Sequence, residues 1–269
     1  MKYQKRFRLK PGARARLADQ DPDCTGGLRD KSEADKPMRR NIERLSELQY
    51  LLYAEGRRAL LVVLQAMDAG GKDGTIRHVM SGLNPQGCRV TSFKAPSATE
   101  LAHDFLWRIH AAAPAKGEIG IFNRSHYEDV LIARVHGLVS EKVWRARYGQ
   151  INRFEESLSK NNIRVLKFFL HISKAEQRKR LEERLKDPAK NWKISPADLA
   201  ERKWWDAYVK AYEEALSRCN TGEAPWFIIP ANHKWFRNLA VSQIIVEALE
   251  EMDMKFPPPS FDVSKVRLS

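Results

Sequence analysis

The sequence predicts a three-layer α/β sandwich with about five parallel strands between two layers of helices. Three observations point there. Short apolar runs recur along the chain, each bounded by turn residues, as strands buried on both faces require. Segments of helical period separate them, which calls for parallel strands joined by right-handed crossovers. The first run leads through a glycine-rich turn directly into a helix.

The elements follow in order. Residues 1–36 are basic, rich in Gly, Pro and Asp, without period, and read as an extended arm. Met38, Ile42, Leu45, Leu48 and Leu52 recur at helical spacing, so a helix runs over Pro37–Glu55 and Gly56 closes it. Ala59–Gln65 is the first strand, and a helix over Lys72–Leu83 follows the turn. Further strands are expected at Arg89–Phe93, Ile119–Asn123, Arg164–Ile172 and Trp226–Ile229. Helices are expected at Thr99–His110, Tyr127–His136, Glu141–Asn161, Lys174–Asp187, Pro196–Cys219 and Trp235–Met252. Pro257–Pro259 opens a flexible tail. No internal repeat interrupts this pattern, so one domain over 37–253 carries the fold, with the tail at 254–269.

The charge balance narrows the partners. The 269 residues hold 47 Lys and Arg against 34 Asp and Glu, a net charge of +13. Such a surplus favours polyanions: nucleotides, phosphate chains, nucleic acid or anionic lipid. Apolar stretches such as Ala59–Ala66 fall far short of the ~20 residues that span a bilayer, so no membrane role is expected. Met1–Lys10 is basic with no apolar run behind it, unlike a secretory signal. The three cysteines form no C-x-x-C pair, so a disulfide framework or cysteine zinc site is not expected and a cytoplasmic location is.

The turn after the first strand carries the chemistry. Asp68-Ala69-Gly70-Gly71-Lys72-Asp73-Gly74 has the small residues that let backbone N–H groups face an anion, a helix N-terminus behind it, and a lysine to reach terminal phosphates. Ala66 stands where the usual phosphate-loop pattern has its first glycine, and Asp73 replaces its Ser or Thr. A plain strand-to-helix turn, with Asp73 as a first-turn carboxylate, accounts for part of this pattern. It does not account for Asp68, which would repel phosphate unless it held a metal or oriented an acceptor.

Two further segments belong at the carboxyl ends of strands, where ligands bind in open α/β sheets. Asn123-Arg124-Ser125-His126-Tyr127-Glu128-Asp129 closes the third strand. Arg124 is placed for phosphate, one of Glu128 and Asp129 for a Mg²⁺ shell, and Ser125 with Glu128 also has the spacing of a capping box. After the fourth strand, Lys174–Lys193 is strongly basic, with Arg180 and Arg184 on one helix face and Lys190 and Lys193 beyond Pro188. This segment is either a solvated basic face or a lid over about 174–200 that brings cations to a transferring phosphoryl group. Trp204, Trp205, Tyr208 and Tyr212 read as core packing.

Together D-A-G-G-K-D-G, F-N-R-S-H-Y-E-D-V and R-L-K-D-P-A-K-N-W-K, with F-K-A-P-S at Phe93–Ser97 and H-D-F-L-W-R at His103–Arg108, resemble the family-2 polyphosphate kinases over about Met38–Met252. The resemblance implies a P-loop kinase-like fold, Mg²⁺ dependence with Mn²⁺ as an alternative ion, and reversible phosphoryl transfer between inorganic polyphosphate and nucleotides. It implies catalytic roles for Asp68 and Lys72; the mechanism expected from the residues adds Arg124, Asp129 and Arg184 as catalytic, with metal held through Asp68 and Asp129. Nucleotide contacts fall to Asn123, Arg124, Glu128 and Asp129, and polyphosphate contacts to Lys94, Arg180, Arg184, Lys190 and Lys193. Other branches carry Asp-Arg where this chain has Asn123-Arg124. The Glu128–Asp129 pair and R-V-H-G-L at Arg134–Leu138 are similar to the branch acting on both AMP and ADP. Guanine nucleotides are further candidate substrates, and a dimer or tetramer through Glu141–Asn161 and Pro196–Cys219 is expected. An ATP-dependent nucleoside monophosphate kinase shares fold and lid but ordinarily keeps Ser or Thr after the loop lysine. A nucleic-acid-binding protein would share only the charge.

Overall fold

A computed structural model describes residues 2–267. Five parallel strands form one sheet in the order β2-β3-β1-β4-β5: β1 Ala59–Ala66, β2 Cys88–Ser92, β3 Ile119–Asn123, β4 Ile163–His171 and β5 Trp226–Pro230. Each lies within a residue or two of its expected place. Strand β1 is central, with Leu60 opposite Ile119 on one side and Arg164 on the other. Its eight residues are all buried, which is why an unbroken apolar run encodes it. The chain leaves β1 for the edge, returns to β3, then crosses to β4, so the strand order reverses beside β1. Loops at the carboxyl ends diverge there and leave a crevice.

The helices, in chain order, are α1 Tyr3–Phe7, α2 Lys31–Glu55, α3 Lys72–Val79, α4 Ala98–Leu101, α5 Trp107–Ala112, α6 Ile132–Val135, α7 Glu141–Lys160, α8 Lys174–Lys186, α9 Pro196–Glu201, α10 Trp205–Arg218 and α11 Lys234–Glu250. One group, α2, α3 and α11, packs together, and α6 packs with α7 and α10 in a second. Gly56 closes α2 in the left-handed conformation, as its position predicts.

Four expectations need correction. The N-terminal segment carries little regular structure between residues 8 and 30, but it is not a free arm: it forms α1, begins α2 six residues before Pro37, and buries Tyr3, Phe7, Ala15 and Leu17. The rings of Tyr3 and Phe7 meet Phe236 of α11 edge to face at 5.9 and 5.8 Å. The expected helix at Thr99–His110 is two short helices, because Asp104 caps the backbone N–H of Leu106 at 2.9 Å and restarts the chain. The segment at Tyr127–His136 is a 3₁₀ turn, His126–Val130, followed by α6. Pro196–Cys219 is broken by a 3₁₀ turn at Arg202–Trp204. There Arg202 reaches Gln177 of α8 at 2.9 Å, while Glu201 meets His136 at 3.1 Å.

Candidate active site

The loop after β1 is shaped by close packing. Ala69 and Gly71 take positive φ, 58° and 100°, and a Cβ on Gly70 would overlap the side chain of Ala66. The methyl of Ala66, where the usual pattern has glycine, is accommodated because position 70 has none. Lys72 opens α3, and its Nζ turns back to Ala66 O at 3.2 Å, where the hydroxyl of Tyr212 also donates at 3.1 Å. Burial, then the nearby Arg124 guanidinium, lowers the Lys72 pKa from its usual value.

Outside the loop, Arg180 donates to Ala69 O at 3.0 Å, Gly70 O at 3.2 Å, Ala231 O and Asn232 O, and its Nε holds Glu176 at 2.7 Å. Gln177 adds a bond to Asp68 O at 3.0 Å. Arg180 is thus a buried clamp on the loop carbonyls. Its expected role as a polyphosphate contact is corrected, since its nitrogens are engaged by protein oxygens.

At the end of β3, Arg124 takes a left-handed φ of 62°, a strained setting for a non-glycine residue. Its guanidinium lies 3.6 Å from Asp68 Oδ1. Burial opposes its charge, but Glu128 and Asp68 outweigh that and raise its pKa. Asn123 donates to Asp73 Oδ1 at 2.7 Å, so it orients a loop carboxylate, which an aspartate at 123 would repel. Ser125 caps the 3₁₀ turn through Tyr127 N at 3.2 Å, but the capping box does not close. Glu128 instead faces the cavity beside Lys72, Arg124 and Asp68, and burial raises its pKa.

Asp129 does not join this group. It turns to Arg147, 3.3 Å away, with Arg108 near, and lines neither of the cavities described below. The expected metal pair Asp68–Asp129 is therefore corrected: Glu128, not Asp129, shares the cavity with Asp68. Among the described residues no cluster of three His, Cys, Asp or Glu side chains is arranged to hold a metal ion. A buried network sets the turn that carries both acids. Glu155 of α7 accepts from His126 at 3.1 Å, Tyr127 at 2.9 Å and Lys167 of β4 at 2.5 Å, and Lys167 also reaches Cys219 O.

Two cavities meet here. The larger, about 650 Å³, is lined by the loop from Asp68 to Gly74 and by six further cations, Lys94, Arg124, Arg184, Lys190, Lys193 and Lys234, alongside Lys72. The structure thus brings the other expected phosphate-binding cations into one cleft and adds Lys234, the first residue of α11. Arg108 holds the Lys94 backbone carbonyl at 2.9 Å, and Arg184 donates to Lys193 O at 3.2 Å. The smaller cavity, about 170 Å³, is lined by Asp68, Lys72, Arg124 and Glu128, and by Leu131, Ile132, Arg202, Trp205, Tyr208 and Tyr212. Asp68, Lys72 and Arg124 belong to both. Trp205 and Tyr208 pack against the core as expected and also line this pocket; helical spacing gave no sign of the second role, because the same face packs and lines.

A basic cleft and an aromatic pocket joined at a lysine, an arginine and an aspartate, on a parallel sheet, define a phosphotransferase. The family model for polyphosphate kinase 2 matches residues 28–257, and the chain belongs to that family. It is 52% identical over 266 residues to the AMP/ADP-polyphosphate phosphotransferase of Meiothermus ruber, covering 97% of this chain and 98% of that one. It is 49% identical to the ADP-polyphosphate phosphotransferase of Rhodopseudomonas palustris, covering 94% and 92%. The crystal structure of polyphosphate kinase 2 from Arthrobacter aurescens superposes with a TM-score of 0.94 at 43% identity, covering 98% of this chain and 94% of that one. No helix among the described residues is long and apolar enough to cross a membrane.

Proposed function

We propose that the chain transfers the terminal phosphoryl group of inorganic polyphosphate to AMP and to ADP, reversibly, forming ADP and ATP. The observation that carries this is the sharing of Asp68, Lys72 and Arg124 by the two cavities. The larger cleft suits a polyanionic chain, because seven cations from five separate segments line it. The smaller pocket suits a nucleotide: Trp205 and Tyr208 line it with aromatic surface suited to a base, and it shares Asp68, Lys72 and Arg124 with the cleft. That reading agrees with the names of the Meiothermus and Rhodopseudomonas relatives, which act on AMP/ADP and on ADP.

In this assignment Lys72 and Arg124 neutralise the transferring group and Asp68 orients the acceptor phosphate. Arg184, Lys190 and Lys193 come from the segment proposed to act as a lid. No covalent intermediate is required, since positioning and charge stabilisation suffice for phosphoryl transfer. A Mg²⁺ ion fits the donor set, because it takes one or two carboxylates and completes its shell with water and phosphate oxygens. Asp68, with Glu128 beside it, would hold the ion, which when bound offsets phosphate charge. ATP as the donor is the weaker reading, since three phosphates would leave much of the basic cleft unused.

Kinetics of two variants test the shared junction. Lys72→Ala lowers kcat roughly 10²–10³-fold, the scale of losing a charge-stabilising donor. Asp68→Asn also lowers kcat, with a smaller change in KM for polyphosphate. Turnover equal to wild type in both variants would overturn the assignment.

A further inference from the structure

Two arginines stand behind the phosphate loop, and only Arg180 is matched by protein oxygens around its whole guanidinium. Arg237, in the first turn of α11, is 2% exposed. Its Nε and Nη2 donate to the side-chain oxygen of its neighbour Asn238, at 3.1 and 2.8 Å. No carboxylate among the described residues pairs with it. The charged or titratable groups that face it are Arg180 of α8 and His78 of α3. The pair Arg180–Arg237 thus brings two positive charges against the single carboxylate of Glu176.

The guanidinium is aimed at the loop. A Cβ on Gly71 would overlap its Nη1, and a Cβ on Gly74 would come within 3.3 Å of Nη2. Gly71 is therefore required twice, by its positive φ and by the arginine pressed against it. Burial, then Arg180, lower the Arg237 pKa to about 9, so the side chain is still charged at neutral pH. A buried cation without a counter-charge is destabilising. A chain that keeps one gains from it only if an anion comes close.

We propose that Arg237 is a positioning residue for polyphosphate: a cation held behind the loop whose counter-charge is the donor phosphate bound in front of it. It touches no reacting atom and acts through the field at Gly71–Gly74 and through the shape of the loop. The inference rests on the reading that the loop from Asp68 to Gly74 holds the donor.

The test compares melting temperature, with and without Mg²⁺ and inorganic polyphosphate, and steady-state kinetics for wild type, Arg237→Met, Arg237→Gln, Arg237→Lys and Lys72→Ala. Arg237→Met melts no lower than wild type when polyphosphate is absent, because an uncompensated buried charge is gone. Its polyphosphate-induced shift falls by more than half, and KM for polyphosphate rises roughly tenfold while kcat changes less. Arg237→Lys keeps the charge and restores most of the shift. Should Arg237→Met fail to fold, Arg237→Gln reads the same two quantities with the bond to Asn238 available. A neutral variant with the wild-type shift and KM overturns the proposal. So does one that melts lower without polyphosphate and keeps the wild-type KM, for Arg237 is then packing. If polyphosphate does not stabilise wild type, or stabilises Lys72→Ala equally, the donor reading of the loop itself fails.

Discussion

Glu128 stands among opposite charges and yet is harder to ionise than an ordinary glutamate. Desolvation in the closed pocket is the larger effect, and the attraction of Arg124 and Lys72 does not cancel it. The sign for stability follows from the raised pKa. The favourable contribution of the protonated acid is fully present below the ordinary value of 4.5 and is lost as pH rises through the folded-state value. Glu128→Gln is accordingly more stable than wild type at pH 7.5, and the gap closes as pH falls toward 4.5; melting curves across that range check it. A gap that is constant with pH, or of the opposite sign, would contradict the account. The same scale shows where residue spacing misleads. Arg180 and Arg184 share a helix face by their separation of four, yet Arg180 is buried against the loop carbonyls and Arg184 lines the cleft. One turn along α8 carries the face from the packed end of the helix to its open end. Charge type and spacing identify both arginines as special but do not tell clamp from ligand.

Among the elements, the 3₁₀ turn His126–Val130 is held by charges in the core. Lys167 and Glu155 are both fully buried, with His126 and Tyr127 completing the network. Burial opposes the Glu155 charge, but Lys167 and His126 outweigh it and its pKa is lowered. Removing one partner leaves a buried charge unmatched, at a cost of about 3–5 kcal/mol. Lys167→Met lowers the melting temperature by roughly 6–20 °C, and a second substitution, Glu155→Leu, recovers part of the loss; thermal unfolding of the two single variants and the double variant measures it. If the double variant loses the sum of the single losses, the two charges are not coupled. The strands were legible because burial on both faces leaves an uninterrupted apolar run. The break at Arg202–Trp204 was not, because the bonds around it come from distant elements: Arg202 turns to Gln177 and Glu201 to His136. The lysine–glutamate pair was equally hidden. A lysine inside an apolar strand and a glutamate on a long helix give no sign of each other until the topology sets β4 against α7.

At the scale of the whole molecule, the surplus of +13 is spent unevenly. Seven cations from five segments converge on one cleft, and sequence motifs mark six of them but not Lys234, which belongs to a helix start far from any motif. The N-terminal segment conceals its packing for a different reason. Its first helical stretch is a single turn carrying Tyr3 and Phe7, too short to show a period, and its anchors are distant: the two rings pack on Phe236 of α11, while the backbone N–H groups of Ala15 and Leu17 donate to Ser217 and Glu213 of α10. The accessible surface, 14,648 Å², exceeds the roughly 12,000 Å² of a compact monomer this size, in keeping with an open cleft and an exposed tail. The central claim is that this cleft delivers phosphoryl groups from polyphosphate to a nucleotide in the adjoining pocket. It is tested most directly by incubating purified protein with Mg²⁺ and polyphosphate as the sole donor, with AMP or ADP in separate reactions, and separating the nucleotides by chromatography. The account predicts ATP from ADP, and ADP followed by ATP from AMP. Folded protein that forms neither product, yet phosphorylates AMP when ATP is supplied, would contradict it.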